Sequence, residues 1–313
     1  MADEEHQPAR PPFPGGSLRS RRATGSPSPY VYWIQPATVL AAEYHYFHGY
    51  GEVVAAHVTD PAYEVSLPGL RRSPLRIRDF PSYLVDTTGS PLAKSVVEMF
   101  RELFDSMDQW RPKIKKHLDV FAVGPMVAAG GSSNEERIHL YKHDDADKKR
   151  YMEWLGAQPE RSVVYVSFGS IASYTKQQIE EMVEGLLQCG RPYLLARRDG
   201  LEEGARHVLE NAQRSGGHGM VVDWCNQPEV LSHPAVGCFV SHCGWNSTME
   251  AMAAGVPLVG VPSMFDQLTN AHLVEEEREI GIRGERNSEG VLAGMELARC
   301  VELVMGQVRK QWR

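Results

Sequence analysis

"VGCFVSHCGWNSTMEAMAAGVPLVGV", residues 236–261, runs from an apolar β-branched stretch through a short polar corner into a helix-like stretch, then out to a second apolar run. Both apolar runs are continuous rather than alternating, which is the pattern of parallel strands covered on two faces. The order strand, helix, strand is therefore that of a βαβ unit. The same rhythm extends upstream through "SVVYVSF" (162–168), "PYLLA" (192–196) and "GMVVD" (219–223), with the helix-forming "TKQQIEEMVEGLLQCG" (175–190) between the first two. These runs predict an α/β fold with a Rossmann-like domain over 151–313.

Composition bounds the function. At 313 residues and 42% hydrophobic content the chain can build a sizeable core, in two domains or one large one. A net charge of -7 excludes the basic footprint that a nucleic-acid partner or an anionic membrane surface requires, so small molecules are the expected partners. No apolar run is long enough to predict a membrane span, and "MADEEHQPAR" (1–10) lacks the apolar centre of a secretory signal. Five cysteines make no disulfide framework and fit a reducing, cytoplasmic setting.

Upstream of the regular region the organisation is looser. Residues 1–29 are rich in Pro, Gly, Ser and Arg and are expected to be a disordered tail. Residues 30–128 form a first domain, in which "PLAKSVVEMFRELFDSMDQW" (91–110) carries Val96, Val97, Phe100, Leu103, Phe104 and Met107 at helical spacing, and "LDVFAVGPM" (118–126) reads as a strand. The polar, charged stretch 129–150 is the expected linker.

In a parallel sheet the residues just past the carboxyl ends of the strands line one edge, where ligands bind. Here those positions are Gly169-Ser170, then Trp224-Cys225-Asn226-Gln227, then His242-Cys243-Gly244-Trp245-Asn246, and Pro262 followed by Asp266-Gln267. Gly244 permits a tight turn, and Asn246 and Ser247 open a helix whose unpaired N–H groups favour a phosphate or diphosphate. His242 adds a donor, Trp224 offers a flat face for a base, and Glu250 can accept from ribose hydroxyls. Together they describe a nucleotide site. Ser247 and Glu250 also match a capping box, in which they would only satisfy helix N–H groups. Trp224 and Trp245 can equally be core residues, and His242 a structural histidine. No phosphate-loop motif, dinucleotide fingerprint or hydrolase elbow is present. His233, Cys238, His242 and Cys243 fit no zinc spacing, and Asp145-Ala146-Asp147 reads as a solvated acidic turn rather than a metal site.

The 44 residues from Trp224 to Gln267 resemble, without a gap, the plant secondary-product signature of family 1 UDP-glycosyltransferases. "YVYWIQPATVLAAEYHYFHGY" (30–50) is similar to the branch of indole-3-acetate and anthocyanidin 5-O-glucosyltransferases. The resemblance implies a GT-B fold of two Rossmann-like domains with parallel sheets, the acceptor side in the first and the UDP-sugar in the second. Trp224 would then stack on uracil, with Cys225 meeting the base through its backbone, and Gln227 and Glu250 would face the ribose. Ser170, His242, Asn246 and Ser247 would hold the diphosphate, and Trp245, Asp266 and Gln267 the sugar. Gln267 would favour glucose. The implied reaction is metal-free, inverting transfer of glucose from UDP-glucose to a hydroxyl or carboxyl of a small lipophilic acceptor.

In the family a histidine held by an aspartate takes the acceptor's proton, from a motif ahead of the segment that starts here at Tyr32. The tail's His6 follows no strand, and His45 and His48 are expected to pack among Tyr44, Tyr46 and Phe47 on a helix, so no catalytic residue is assigned. The resemblance thus implies a member shortened at both ends, with an incomplete first domain and a second domain lacking its final helix. The alternative is an inactive UDP-sugar-binding or interaction protein. No acceptor identity or oligomeric state is implied.

Overall fold

The computed structural model describes residues 33–70, 74–110, 145–169, 174–196, 203–214 and 219–311. The expected tail, the strand at 118–126, most of the linker and Ser170 lie outside them.

Six strands form one parallel sheet: β3 (Val163–Ser167), β4 (Tyr193–Ala196), β5 (Gly219–Val222), β6 (Val236–Ser241), β7 (Leu258–Gly260) and β8 (Gly281–Arg283), following the short β1 and β2 described below. Their spatial order is β5-β4-β3-β6-β7-β8, with every neighbouring pair parallel. The chain winds outward from β3 to β5, returns to the other side of β3 as β6, and winds outward again. The crevice between the carboxyl ends of β3 and β6 is thus the topological switch point, the place where an open α/β sheet binds ligands.

Helices cover both faces. α5 (Lys176–Gln188), α6 (Glu203–Arg214) and α10 (Gly294–Gln311) pack on one face, in one core with Val164, Val166, Cys238, Val240 and Val259. On the other, Tyr151 and Leu155 from α4 (Asp145–Gly156) and Ala251 from α8 (Trp245–Ala254) meet Val163, Tyr165, Phe239 and Leu258. Alternate residues of β3 thereby enter two cores, which is why the strand reads as apolar throughout. All six residues of β6 are buried. The helix at Asp145–Gly156 begins inside the stretch whose composition suggested a linker. Asp145 and Asp147 lie in its first turn, where carboxylates suit the helix dipole, so they form a helix start rather than the acidic turn expected.

Residues 33–110 make a second body with its own core. Helix α1 (Ala37–His45) leads through a widened turn at Tyr46–Tyr50 into α2 (Gly51–His57). Strands β1 (Glu64–Val65) and β2 (Leu75–Arg76) pair antiparallel, and α3 (Pro91–Trp110) follows. The expected stripe on α3 holds as far as Phe104: Phe100 and Phe104 are buried, and Val96, Val97 and Leu103 pack half-buried against a core with Leu75, Phe80 and Leu84, while the side chain of Met107 lies outside the described ones. His48 stacks on Tyr44 with ring centres 4.0 Å apart, and His45 Nε2 donates to the Pro68 carbonyl at 2.9 Å, so both histidines are packed as their neighbours suggested. Among the described residues this part carries helices and an antiparallel pair, and the parallel sheet belongs to residues 163–283. No described helix is long and apolar enough to cross a membrane.

The two bodies meet along one seam. Asp79 is fully buried there. Its carboxylate accepts from Arg283 Nη2 at 2.6 Å and lies 3.3 Å from His272 Nδ1, while its carbonyl accepts from Thr269 Oγ1 at 2.7 Å. Burial alone would raise the Asp79 pKa, but His272, 3.3 Å away, and the Arg283 charge prevail and hold it at about 2. A few residues on, Ser82 N donates to the Phe265 carbonyl at 2.9 Å and Phe265 N donates to Ser82 Oγ at 2.8 Å.

Candidate functional site

Of the eleven sequence-nominated residues, ten are described, and all sit past the carboxyl ends of β5, β6 and β7 or on the helices that follow. Three are joined directly. Gln227, the first residue of α7 (Gln227–Leu231), donates through Nε2 to Ser247 Oγ at 2.9 Å and to Glu250 Oε2 at 2.8 Å. Its amide oxygen accepts from the Tyr165 hydroxyl at 3.3 Å. Cys225 is buried, with Sγ 3.2 Å from the same hydroxyl; burial pushes its thiol up to about 11, so it is a neutral S–H.

This geometry decides between the two readings of Ser247 and Glu250. The N-cap of α8 (Trp245–Ala254) is Gly244, with φ -60° and ψ 142°, and no side chain caps the helix. Ser247 lies inside the first turn, too late to be the cap, and both side chains engage Gln227 instead of helix amides. The capping-box alternative is therefore overturned. Because the cap is a glycine, the cap residue brings no side chain of its own to the first amides of α8. These are the groups that bind an anion at a helix start.

His242 follows β6 at the switch point. A methyl group on Gly169, the residue just past β3, would come within 2.5 Å of its imidazole, and one on Gly244 would strike Nε2. The ring thus lies flush between two glycines. Next to it Cys243 holds a left-handed φ of 62°, sparsely populated for a residue with a side chain, and its backbone N–H donates to Ser241 Oγ at 3.1 Å. Cys243 is fully buried, and burial raises its thiol to about 12, so it serves packing. Trp245 is half-buried and Asn246 exposed at the head of α8, and Trp224 is half-buried in the link from β5 to α7.

Asp266 and Gln267 start α9 (Gln267–His272) after β7. The Gln267 amide oxygen accepts from Ser263 N at 3.0 Å, Met264 N at 3.1 Å and Ser263 Oγ at 3.2 Å, fixing the loop ahead of it. Asp266 accepts from Asn270 Nδ2 at 2.9 Å, and the same amide donates to the Cys243 carbonyl at 2.9 Å, which ties this end of the site to the His242 corner. Burial raises the Asp266 pKa against the pull of the Asn270 hydrogen bond. Among the described residues no cluster of His, Cys, Asp or Glu could hold a metal ion, and Cys238 is core in β6.

Sequence reasoning missed Tyr165, Asn270 and the first-body residues behind Asp266. Glu43 on α1 is fully buried and accepts a hydrogen bond from the Tyr83 hydroxyl. Burial raises its carboxyl to about 8, against the Tyr83 hydrogen bond and with the charge of Asp266 adding to the rise. For Tyr165 a signal did exist, since a tyrosine in the middle of a wholly apolar strand needs a partner for its hydroxyl.

Comparison with known proteins agrees with this picture. The family model described as "UDP-glucoronosyl and UDP-glucosyl transferase" matches residues 137–305. UDP-glycosyltransferase 75C1 of Solanum lycopersicum is 37% identical over 87% of this chain and 62% of its own length. The corresponding values are 38%, 88% and 63% for phloretin 4'-O-glucosyltransferase of Malus domestica, and 40%, 87% and 62% for anthocyanidin 3-O-glucoside 5-O-glucosyltransferase of Verbena hybrida. The chain therefore spans less than two thirds of these relatives. Among solved structures, Os79 from O. sativa in complex with UDP superposes with a TM-score of 0.64 at 28% identity, covering 89% of this chain and 64% of that one. With a family model over more than half its residues and a parallel-sheet body shared with a UDP-bound neighbour, the chain belongs to the UDP-glucoronosyl and UDP-glucosyl transferases, among plant family 1 members near the anthocyanidin 5-O-glucosyltransferases.

Proposed function

We propose that the protein binds UDP-glucose at the β3/β6 switch point and belongs to an inverting glucosyltransferase acting on a hydroxyl or carboxyl of a small lipophilic acceptor. Residues 151–311 carry the donor site, and residues 33–110 contribute the acceptor side. The observation that carries this reading is the grouping of Gln227, Ser247 and Glu250 in one hydrogen-bonded set beside the glycine-capped N-terminus of α8. That set offers the Glu250 carboxylate to a ribose, and the α8 amide N–H groups and the Ser247 hydroxyl to a diphosphate.

In the reaction the acceptor oxygen attacks the anomeric carbon and loses its proton to a base. The bond from that carbon to the diphosphate oxygen breaks with inversion, and UDP departs. Negative charge grows on the leaving diphosphate, where the α8 amides, Ser247 and His242 stand ready. Donors fixed in advance need no reorganisation as the charge develops, and each is worth about 3 kcal/mol of barrier in comparable oxyanion sites. The half-buried face of Trp224 suits uracil, and Asp266 and Gln267 suit the glucose hydroxyls. The names of the phloretin and anthocyanidin relatives specify glucosylation at oxygen, which favours phenolic acceptors here.

Calorimetric titration with UDP-glucose, paired with incubation with a simple phenol and assay for released UDP and glucoside, tests the proposal. Saturable heat and product formation are expected. No heat at millimolar donor rejects the site, and heat without product keeps the site but rejects transfer by this chain.

A further inference from the structure

Between the core and the candidate nucleotide pocket runs a chain of hydrogen bonds whose direction is fixed by its far end. The Glu250 carboxylate accepts only, so the Gln227 group 2.8 Å from it must be the amide nitrogen. A flipped amide would set two oxygens against each other. With the nitrogen committed to Glu250 and Ser247, the Gln227 oxygen faces inward at 3.3 Å from the Tyr165 hydroxyl, which must donate to it. The lone pairs of that hydroxyl are then left to accept from the Cys225 S–H, 3.2 Å away. At the pocket end, Ser247 Oγ accepts from Gln227 and keeps its own proton for an acceptor outside. Each link has one orientation.

Tyr165 is anchored for this task. It is 1% exposed, stands in the middle of β3, and stacks on Phe239 of β6 with ring centres 4.8 Å apart and planes 21° apart. Ring and strand leave its hydroxyl no freedom to follow Gln227 if that side chain turned.

We propose that Tyr165 is a positioning residue that locks the Gln227 amide, so that Ser247 is presented as a hydrogen-bond donor and Glu250 as an acceptor to a uridine nucleotide. This inference rests on the UDP-sugar reading of the site. Its consequence is selectivity for the ribose, because Glu250 is the group suited to the 2'-hydroxyl. Without the lock the amide can turn, and the carboxylate is no longer held toward the sugar.

The test is calorimetric binding of UDP and 2'-deoxy-UDP to the wild type, Tyr165→Phe and Tyr193→Phe. Tyr193 is a buried tyrosine on β4 whose hydroxyl has no hydrogen-bond partner among the described residues, so it undergoes the same chemical change away from the site. Wild type is expected to favour UDP over 2'-deoxy-UDP by roughly tenfold, the worth of one well-made hydrogen bond to a charged group. In Tyr165→Phe that ratio should fall toward one, chiefly through weaker UDP binding, while Tyr193→Phe keeps it. An unchanged ratio in a folded Tyr165→Phe overturns the inference, and so does an equal fall in Tyr193→Phe. If Tyr165→Phe does not fold, Gln227→Leu removes the same link from the half-buried side, with the same expected fall and the same overturning result. Failure of the wild type to bind either nucleotide overturns the UDP-sugar reading itself, a result distinct from a ratio that fails to move.

Discussion

The imidazole of His242 and the backbone of Gly169 touch across the gap between β6 and β3, leaving no space for even a methyl group on the glycine. Gly169 also has a φ of 67°, a left-handed value that a side chain disfavours. Gly169→Ala therefore faces two penalties, displacement of His242 and backbone strain. We expect about 1–3 kcal/mol of destabilisation in urea melts and at least a tenfold loss of UDP affinity by calorimetry. Unaltered affinity would show that His242 is not part of the nucleotide pocket.

Trp224→Ala should weaken UDP binding by roughly tenfold or more, since stacking of a base on an aromatic face is worth about 1–3 kcal/mol. Binding of inorganic diphosphate, followed by competition, should be little affected. Equal losses for both ligands would place Trp224 in the framework instead of against the base.

Glu43 makes stability depend on pH in an unusual direction. Its folded pKa is about 8 against the ordinary carboxyl value of 4.5, so between these values the unfolded chain releases a proton that the native state retains. Stability from this group is complete below about pH 4.5 and is lost as the pH rises toward 8. Glu43→Gln, which mimics the neutral acid, should flatten that decline, as measured by denaturant melts from pH 5 to 9. Parallel curves for variant and wild type would contradict the assignment.

Asp79 acts in the opposite sense. With its pKa held at about 2 by His272 and Arg283, its contribution is present above the ordinary value of 3.8 and fades as pH falls through 2. Asp79→Asn takes the nearer carboxylate from the Arg283 guanidinium, 12% exposed, leaving it Glu275 at 3.8 Å, and should cost about 1.5–3 kcal/mol at neutral pH. The difference between variant and wild type should shrink in acid. A constant difference down to pH 2 would show that charge is not what Asp79 supplies.

Five of the six parallel strands were legible because continuous β-branched runs bounded by turns have few other readings. The sixth, β8 at Gly281–Arg283, was not. It is three residues long, starts on Gly281 and is followed by Gly284, and only its pairing with β7 makes it a strand. The shared sheet edge brought Gln227, Ser247 and Glu250 together correctly, because parallel strands oblige their carboxyl ends to converge. The capping-box reading failed because the glycine before Trp245 took the cap, and sequence spacing cannot tell a cap at Ser247 from one at Gly244. Nothing local in Asp79 or Glu43 announces their roles. Their partners lie far along the chain, Arg283 204 residues from Asp79 and Tyr83 40 from Glu43, and each group acquires its altered acidity only when folding brings it into place, Glu43 by burial and Asp79 by its partners.

Phe265 is part of the donor-side loop by chain order, yet its ring packs half-buried against the core of residues 33–110, and its backbone, at a left-handed φ of 55°, is clasped by Ser82. The neighbouring Asp266 and Gln267 cannot shift while that clasp holds. Any hinge that parts the two bodies must tear out this anchor or drag Asp266 and Gln267 with it. Under the proposed reading of that pair as hexose contacts, grip on the sugar and closure of the two bodies are one event, and by reciprocity whatever favours closure from the first body tightens the hold on the donor by the same factor.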